Sequence, residues 1–197
     1  MKQKLLALLI AGSCAVPSLA NAATPYVSAF TGLGIAGDST VNASDKNTFK
    51  SGMPWGGAIG LKGDEYRIEA ALGYQLNHID SSTYAMPSGG RVGIFSYMAN
   101  AYYDYALDKC VAPYLMGGLG GASMSLKEPG SADVSKSVFA WQLGLGVGVK
   151  ATDNVVVDLG YRYFKPGAYT VTDAAYGGSV KHTASSSNIL LGLRYNF

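Results

Sequence analysis

The fold is decided by the stretch Phe139-Ala140-Trp141-Gln142-Leu143-Gly144-Leu145-Gly146-Val147-Gly148-Val149-Lys150. Large apolar residues occupy every second position, with small or polar residues between them. Successive side chains of a β-strand lie on opposite faces, so this pattern predicts a strand with one apolar face. A helix would repeat its apolar positions every three or four residues instead.

Seven further stretches show the same alternation of apolar with small or polar residues. Segments rich in Ser, Asp, Asn, Gly and Pro separate them. The eight predicted strands are residues 26–36, 54–62, 65–77, 92–106, 111–126, 138–150, 155–165 and 185–197. Short connections are predicted at residues 63–64, 107–110 and 151–154, and long ones at 37–53, 78–91, 127–137 and 166–184. Tight turns at one end and long loops at the other are typical of membrane barrels.

The N-terminus has the pattern of an export signal. Lys2 and Lys4 precede an apolar core at residues 5–16, and Ala20-Asn21-Ala22 gives a small-x-small cleavage site. We therefore predict a signal peptide at residues 1–22 and one barrel domain at residues 23–197. Two alternatives are a buried N-terminal helix and a lipoprotein signal ending at Cys14, although Ser13 departs from the Gly or Ala usual before that cysteine.

Charge and cysteine content exclude two classes of protein. Cleavage after Ala22 would leave 13 basic and 13 acidic residues, which argues against a nucleic-acid binder. It would also leave Cys110 without a second cysteine in the chain, which excludes a scaffold built on disulfides.

The predicted domain has no apolar run of about 20 residues, so it would have to cross a membrane as a closed barrel. Aromatic residues near the strand ends favour this reading, because such belts mark membrane interfaces. The predicted belts are Tyr66, Tyr103, Tyr105 and Tyr195 at the short-turn end, and Trp55, Tyr74, Tyr97, Trp141 and Tyr163 at the long-loop end.

The polar face of the strands would then line the barrel interior. The predicted inward charges are Arg67, Glu69, Asp104, Lys150, Asp158, Arg162 and Arg194. Side chains fill the interior of an eight-stranded barrel, and buried charges there need partners. We predict a plugged, hydrogen-bonded lumen, with the alternative that Lys150 and Arg194 face water at the rims.

Several motifs resemble the opacity-like and OmpA-like eight-stranded outer-membrane barrels. They are Asn100-Ala101-Tyr102-Tyr103-Asp104, Pro113-Tyr114-Leu115-Met116-Gly117-Gly118-Leu119-Gly120, Gly160-Tyr161-Arg162-Tyr163 and the ending Leu191-Gly192-Leu193-Arg194-Tyr195-Asn196-Phe197. The resemblance implies an all-β, closed, antiparallel up-and-down transmembrane barrel in the bacterial outer membrane. It also implies that the last strand carries the signal read by the barrel-assembly machinery, at Ile189, Leu191, Leu193, Tyr195 and Phe197. The peptidoglycan-binding domain of many OmpA-like proteins is not expected, because this sequence stops at that strand.

We expect a non-enzymatic surface antigen, adhesin-like or structural protein, with residues 40–50 and 169–181 as the main contact segments. The expected partners are outer-membrane lipid and lipopolysaccharide, the assembly machinery, and a host or cell-surface ligand. No cofactor and no metal are expected, since His78 and His182 fall in predicted loops. Two alternatives are a lipid A deacylase-like enzyme using His182 with the serines at 185–187, and a small passive pore.

Overall fold

The computed structural model describes residues 23–36, 39–41, 45–49, 52–81, 91–127, 134–167, 169–173, 178–183 and 185–197. Residues 1–22, the predicted export signal, lie outside this set. The strands are β1 Thr24–Ala36, β2 Ser39–Val41, β3 Asp45–Phe49, β4 Met53–Lys62, β5 Tyr66–Ser81, β6 Arg91–Asp104, β7 Val111–Lys127, β8 Val134–Lys150, β9 Val155–Pro166, β10 Tyr169–Asp173, β11 Gly178–Thr183 and β12 Ser186–Asn196. No helix in the described part of the chain is long and apolar enough to cross a membrane.

Eight of these strands close into an antiparallel barrel, in the order β1-β4-β5-β6-β7-β8-β9-β12 and back to β1. Closure pairs the backbone groups of every barrel strand, which is the condition for crossing a lipid bilayer without an open edge. The predicted fold class is confirmed, and each barrel strand coincides with a predicted one. β5 and β8 extend a few residues further into the long connections than the sequence indicated.

The prediction of irregular long connections was wrong in two places. The first contains β2 and β3, and the last contains β10 and β11. These four strands form a sheet in the order β10-β11-β2-β3, which joins the barrel where β3 pairs with β5. We call it the extension sheet. Its strands have three to six residues, too few for a clear period of two in the sequence.

The barrel is inverted relative to a soluble protein. Leu72 and Leu145 are 56% and 55% exposed, whereas Arg67 and Arg194 are only 3% and 4% exposed. A water-soluble protein rarely buries arginines while it exposes rows of leucines. The apolar outer surface therefore faces hydrocarbon.

Strand β1, whose sequence alone does not show which side chains point inward, follows the same rule. Tyr26 is buried inside the barrel, and Val27, Leu33 and Ile35 are exposed outside it. The phase was ambiguous because β1 also places Phe30 between exposed residues, on the inward side with Tyr26.

Candidate functional site

Arg67 and Asp104 form a two-point ion pair inside the barrel. Arg67 Nε donates to Asp104 Oδ2 at 2.7 Å, and Nη2 donates to Oδ1 at 2.9 Å. Arg67 Cζ lies 4.2 Å from the ring centroid of Tyr102 and 5.2 Å from that of Tyr114. Charge-assisted, two-point pairs of this kind are the strongest hydrogen bonds between side chains.

Glu69 is held by neutral donors. The hydroxyls of Tyr26 and Tyr102 donate to its carboxylate at 3.0 and 2.6 Å, and Asn100 Nδ2 donates at 2.8 Å. Gln142 Nε2 in turn donates to Asn100 Oδ1 at 2.6 Å. Sequence reasoning did not name Tyr26, Tyr102 or Asn100 as part of this network. Alternation from Asp104 would have placed Tyr102 and Asn100 on the same inward face.

The remaining predicted lumen charges have three different surroundings. Arg194 Nη2 donates to Asp158 Oδ1 at 3.4 Å. Arg162 Cζ lies 4.7 Å from the ring centroid of Phe30, and Arg162 forms no ion pair with another described residue. Lys150 lies at the rim, where its Nζ is 3.0 Å from Asp153 Oδ1, which agrees with the alternative that Lys150 faces water and not with an inward position. Lys150 is the last residue of β8, next to the turn that leads to β9.

A small cavity of about 50 Å³ remains within this polar network. Ser28, Phe30, Glu69, Asp158 and Arg162 are among its lining residues. A space of this size holds roughly three to five water molecules, since each needs about 10–15 Å³.

The lumen is filled differently towards the long connections. There an apolar cluster is formed by Ile94, Met98, Ala122, Ala140 and Phe164, with Met124 and Val138 packed against it. On the opposite wall, Gln75 Nε2 donates to Ser186 Oγ at 3.1 Å, and Ser186 Oγ donates to Asn188 Oδ1 at 2.8 Å. Sequence reasoning missed the apolar cluster. The available signal was β6, which is apolar on both faces at Ile94-Phe95 and Tyr97-Met98.

Inward glycines make room for the large lumen side chains. A Cβ atom on Gly146 or on Gly160 would lie 2.5 Å from the hydroxyl oxygen of Tyr114. The Tyr114 ring therefore occupies the space that side chains on β8 and β9 would fill. A methyl group at either position would collide with it.

Six of the nine predicted interface aromatics come together as three cross-strand pairs. The ring centroids are 5.8 Å apart in Trp55–Tyr74, 5.7 Å in Trp141–Tyr163 and 5.2 Å in Tyr66–Tyr103. Pairs at these distances add stability beyond their buried area. Their position at the membrane interfaces remains a prediction.

The residues of the predicted assembly signal lie on the outer face of β12. Ile189, Leu191 and Leu193 are exposed, as are Tyr195 and Phe197, whose rings are 5.3 Å apart. Their recognition by the assembly machinery stays a prediction.

The structure brings the two predicted contact segments together, although they lie far apart in the sequence. β2 and β3 fall within or beside residues 40–50, and β10 and β11 carry most of residues 169–181. β11 pairs with β2 through His182 opposite Val41 and Thr183 opposite Thr40. Residues 42–44, 50 and 174–177 of these segments lie outside the described residues.

The serines considered for catalysis have other partners. Ser186 lies inside the barrel with Gln75, and Ser187 lies outside it, with its Oγ 2.9 Å from the Tyr161 hydroxyl. A serine nucleophile needs a base within hydrogen-bond reach. Among the described residues, no group of three His, Cys, Asp or Glu side chains is placed to hold a metal ion.

The closed barrel with its inverted faces agrees with a family model, the outer membrane protein beta-barrel domain, which matches residues 6–197. The chain belongs to this family. As a member of it, the protein resides in the bacterial outer membrane.

Two curated relatives of this family member are outer-membrane proteins. The chain is 30% identical over 123 residues to the outer membrane protein PagN of Salmonella typhimurium, which covers 54% of this chain and 51% of PagN. It is 28% identical over 159 residues to the 25 kDa outer-membrane immunogenic protein of Brucella abortus, covering 81% of this chain and 70% of the relative. The match to PagN thus spans about half of that protein.

Solved structures show the same fold. Neisserial surface protein A superposes with a TM-score of 0.62 at 22% identity, covering 88% of this chain and 97% of the other. A major outer membrane protein from Thermus thermophilus superposes with a TM-score of 0.51 at 15% identity, covering 90% of this chain and 100% of the other.

Proposed function

We propose that this outer-membrane barrel is a non-enzymatic surface protein whose long external connections recognise a ligand outside the cell. The observation that carries the proposal is the pairing of β11 with β2, which joins the first and last long connections into one sheet. Connections held in a sheet present a surface of fixed shape, and rigidly held loops are common recognition sites. The barrel is then a scaffold for that surface.

The curated relatives support a role at the cell surface. The Brucella relative is an immunogenic outer-membrane protein, and its match covers most of this chain. An antigen must present segments outside the membrane, and the extension sheet is the largest ordered structure in the long connections of the described chain.

Two observations support a role without catalysis. Ser186 and Ser187 lie on opposite faces of β12, and each has a hydrogen-bond partner that is not a base. The other polar cluster, around Glu69, lies inside the barrel, where Tyr26, Asn100 and Tyr102 hold the carboxylate with hydrogen bonds.

The filled interior also supports a protein without an open pore. The Arg67–Asp104 pair and the Glu69 network lie in one half of the lumen. In the other half, the apolar cluster lies opposite the hydrogen bonds of Gln75 and Ser186. Outer-membrane lipid and lipopolysaccharide are the proposed partners of the apolar outer face, and the barrel-assembly machinery that of β12.

The test is binding of whole bacteria to host cells. The full chain is expressed in a non-adherent bacterial strain, and a second strain carries a variant with residues 169–183 replaced by a short Gly/Ser linker. The matched control replaces the short turn at residues 151–154 with Gly/Ser. We expect the intact protein and the turn control to promote binding. The variant that lacks residues 169–183, and therefore the hairpin of β10 and β11, should lose it. Binding retained by the hairpin variant, or none with the intact protein, would reject the proposal.

A further inference from the structure

The outer face of the barrel carries one charged residue among the strand side chains that the structure describes, and it is Lys165 on β9. Lys165 shares a face with Tyr161 and Leu159, which are exposed outside the barrel, because side chains alternate along a strand. An ammonium group among acyl chains is costly, and a lysine near a strand end avoids that cost by extending its charge into the interface. Lys165 therefore has to find its partner at the level of the lipid headgroups.

Lys165 lies beside an aromatic pair that also ends in hydrogen-bond donors. It is directly opposite Trp141 on β8, whose ring centroid is 5.7 Å from that of Tyr163. Side chains at opposite positions have their Cβ atoms about 5 Å apart. The Lys165 ammonium, the Trp141 indole N–H and the Tyr163 hydroxyl can each donate a hydrogen bond, and no group in the described part of the chain accepts one from them. We call these three residues the donor cluster.

The second aromatic pair near the long connections has different neighbours. Trp55 is opposite Tyr74, and the next outward pair towards the long connections is Met53 opposite Leu76. That sector therefore continues from its aromatic rings with apolar side chains, whereas the donor cluster continues with Lys165. An aromatic belt needs only the rings, and both sectors have them. The charged group of one sector therefore indicates a ligand that the other sector does not hold.

We propose that the donor cluster binds a phosphate group of lipopolysaccharide in the outer leaflet of the membrane. The inference rests on the proposed function, because it takes the apolar outer face as the surface that contacts lipid. Phosphate oxygens accept hydrogen bonds and carry negative charge, so they complement three donors of which one is a cation. Lys165 lies at the long-connection end of β9, and the long connections of such barrels face the outside. Lipopolysaccharide there carries phosphate on the sugars that bear its acyl chains.

The apolar surface next to the donor cluster favours a phosphate that belongs to a lipid over a phosphate from solution. Leu143, Leu145 and Leu159 lie on the same outer face of β8 and β9 and are more than half exposed. Acyl chains pack against them and hold the headgroup at the level of Lys165. A free phosphate has only an exposed ion pair, which contributes little by itself.

The test measures binding of lipid A, the phosphorylated acyl-sugar part of lipopolysaccharide, to the full chain folded in detergent micelles. The variant Trp55→Phe leaves Trp141 as the remaining tryptophan, so its fluorescence reports binding at the donor cluster. The probes are lipid A with both phosphates, the same lipid A after removal of both phosphates, and inorganic phosphate. We expect the phosphorylated lipid to bind about threefold to fivefold more tightly than the dephosphorylated one, and inorganic phosphate to produce no change.

Three lysine variants in the same background locate the binding. Lys165→Gln should lower the affinity for lipid A to that for the dephosphorylated lipid. Lys165→Arg keeps the charge and should retain most of the affinity. Lys109→Gln removes a lysine from the exposed turn between β6 and β7 and should bind as the Trp55→Phe parent does. A different migration of unheated and boiled samples on a detergent gel confirms that each variant is folded.

Three results would overturn the inference: equal affinity for lipid A with and without phosphate, an affinity unchanged in Lys165→Gln, or an equal loss in Lys109→Gln. A response to inorganic phosphate as strong as that to lipid A would show a site for free anions and overturn the lipid assignment. The host-cell assay separates these failures from failure of the proposed function, because bacteria carrying Lys165→Gln should bind host cells as the parent does. If lipid A binds as expected but the intact protein promotes no binding to host cells, the proposed function alone fails.

Discussion

The ion pair between Arg67 and Asp104 allows a quantitative test of the filled interior. Asp104→Ala would leave the Arg67 guanidinium, 3% exposed, without the two hydrogen bonds of 2.7 and 2.9 Å. Breaking a buried pair in this way typically costs about 3–5 kcal/mol, because the remaining charge stays desolvated. Two charge-assisted hydrogen bonds of about 1.5–3 kcal/mol each give a similar sum. We expect the free energy of unfolding to fall by about 4 kcal/mol.

The measurement is reversible unfolding in urea with the protein inserted in lipid vesicles. Tryptophan fluorescence reports the transition, because Trp55 lies on the exposed outer surface and changes its environment when the barrel unfolds. The matched control is Asp153→Ala, which removes the partner of Lys150 at the exposed rim. Surface pairs of that kind contribute about 0–1 kcal/mol, so this variant should unfold almost as the parent does.

The double variant Arg67→Met/Asp104→Leu distinguishes the loss of the ion pair from the loss of side-chain packing. If the cost of Asp104→Ala comes from an unpaired charge, removing both charges should recover most of the stability. A loss of less than 1 kcal/mol in Asp104→Ala would mean that water reaches Arg67 and that the lumen is open. A double variant as unstable as Asp104→Ala would show that packing, and not charge, governs this site.

Three further predictions concern the barrel. Gly160→Val should lower stability by about 1–3 kcal/mol because its side chain meets the Tyr114 hydroxyl, and Tyr114→Ala in the same chain should reduce that loss; unfolding midpoints in urea check both. Leu145→Arg should cost about 2–4 kcal/mol in lipid vesicles, because Leu145 faces hydrocarbon, and a cost near zero would contradict the inverted faces. The intact protein should show no steady ionic conductance in planar bilayers, since the ion pairs, the Glu69 network and the apolar cluster all lie in the lumen, and a reproducible open level would refute the filled interior.

The barrel strands were predictable because their signal is local. Phe139 to Lys150 alternate over many consecutive residues, and the same period recurs on β5, β9 and β12, so the lipid-facing side could be assigned before the structure was known. The alternation also placed Arg67 and Asp104 on the inward side. It could not distinguish Lys150 from Arg194, because whether a strand end lies inside the rim depends on the stagger between neighbouring strands.

The features that were missed depend on contacts between distant segments. The extension sheet needs β2 and β11 to meet, and neither strand has enough residues to form without the other. The partners of Glu69 come from β1 and β6, and Tyr26 belongs to the strand whose phase is ambiguous in sequence. A polar face was expected throughout the lumen, whereas Ile94 and Phe164 form an apolar layer that only the closed barrel brings together.

The junction between β1 and β12 has a consequence for biogenesis. Eleven residue pairs join these strands, from Tyr26 opposite Asn196 to Ala36 opposite Ser186, and they are separated by almost the whole domain. Until β12 has been translated and delivered, β1 and β9 remain open edges beside a fully apolar surface. Exposed edges of this kind are templates for aggregation, and contacts so remote in sequence are slow to form. This topology therefore predicts that the edges of β1 and β9 need shielding in the periplasm until β12 has arrived.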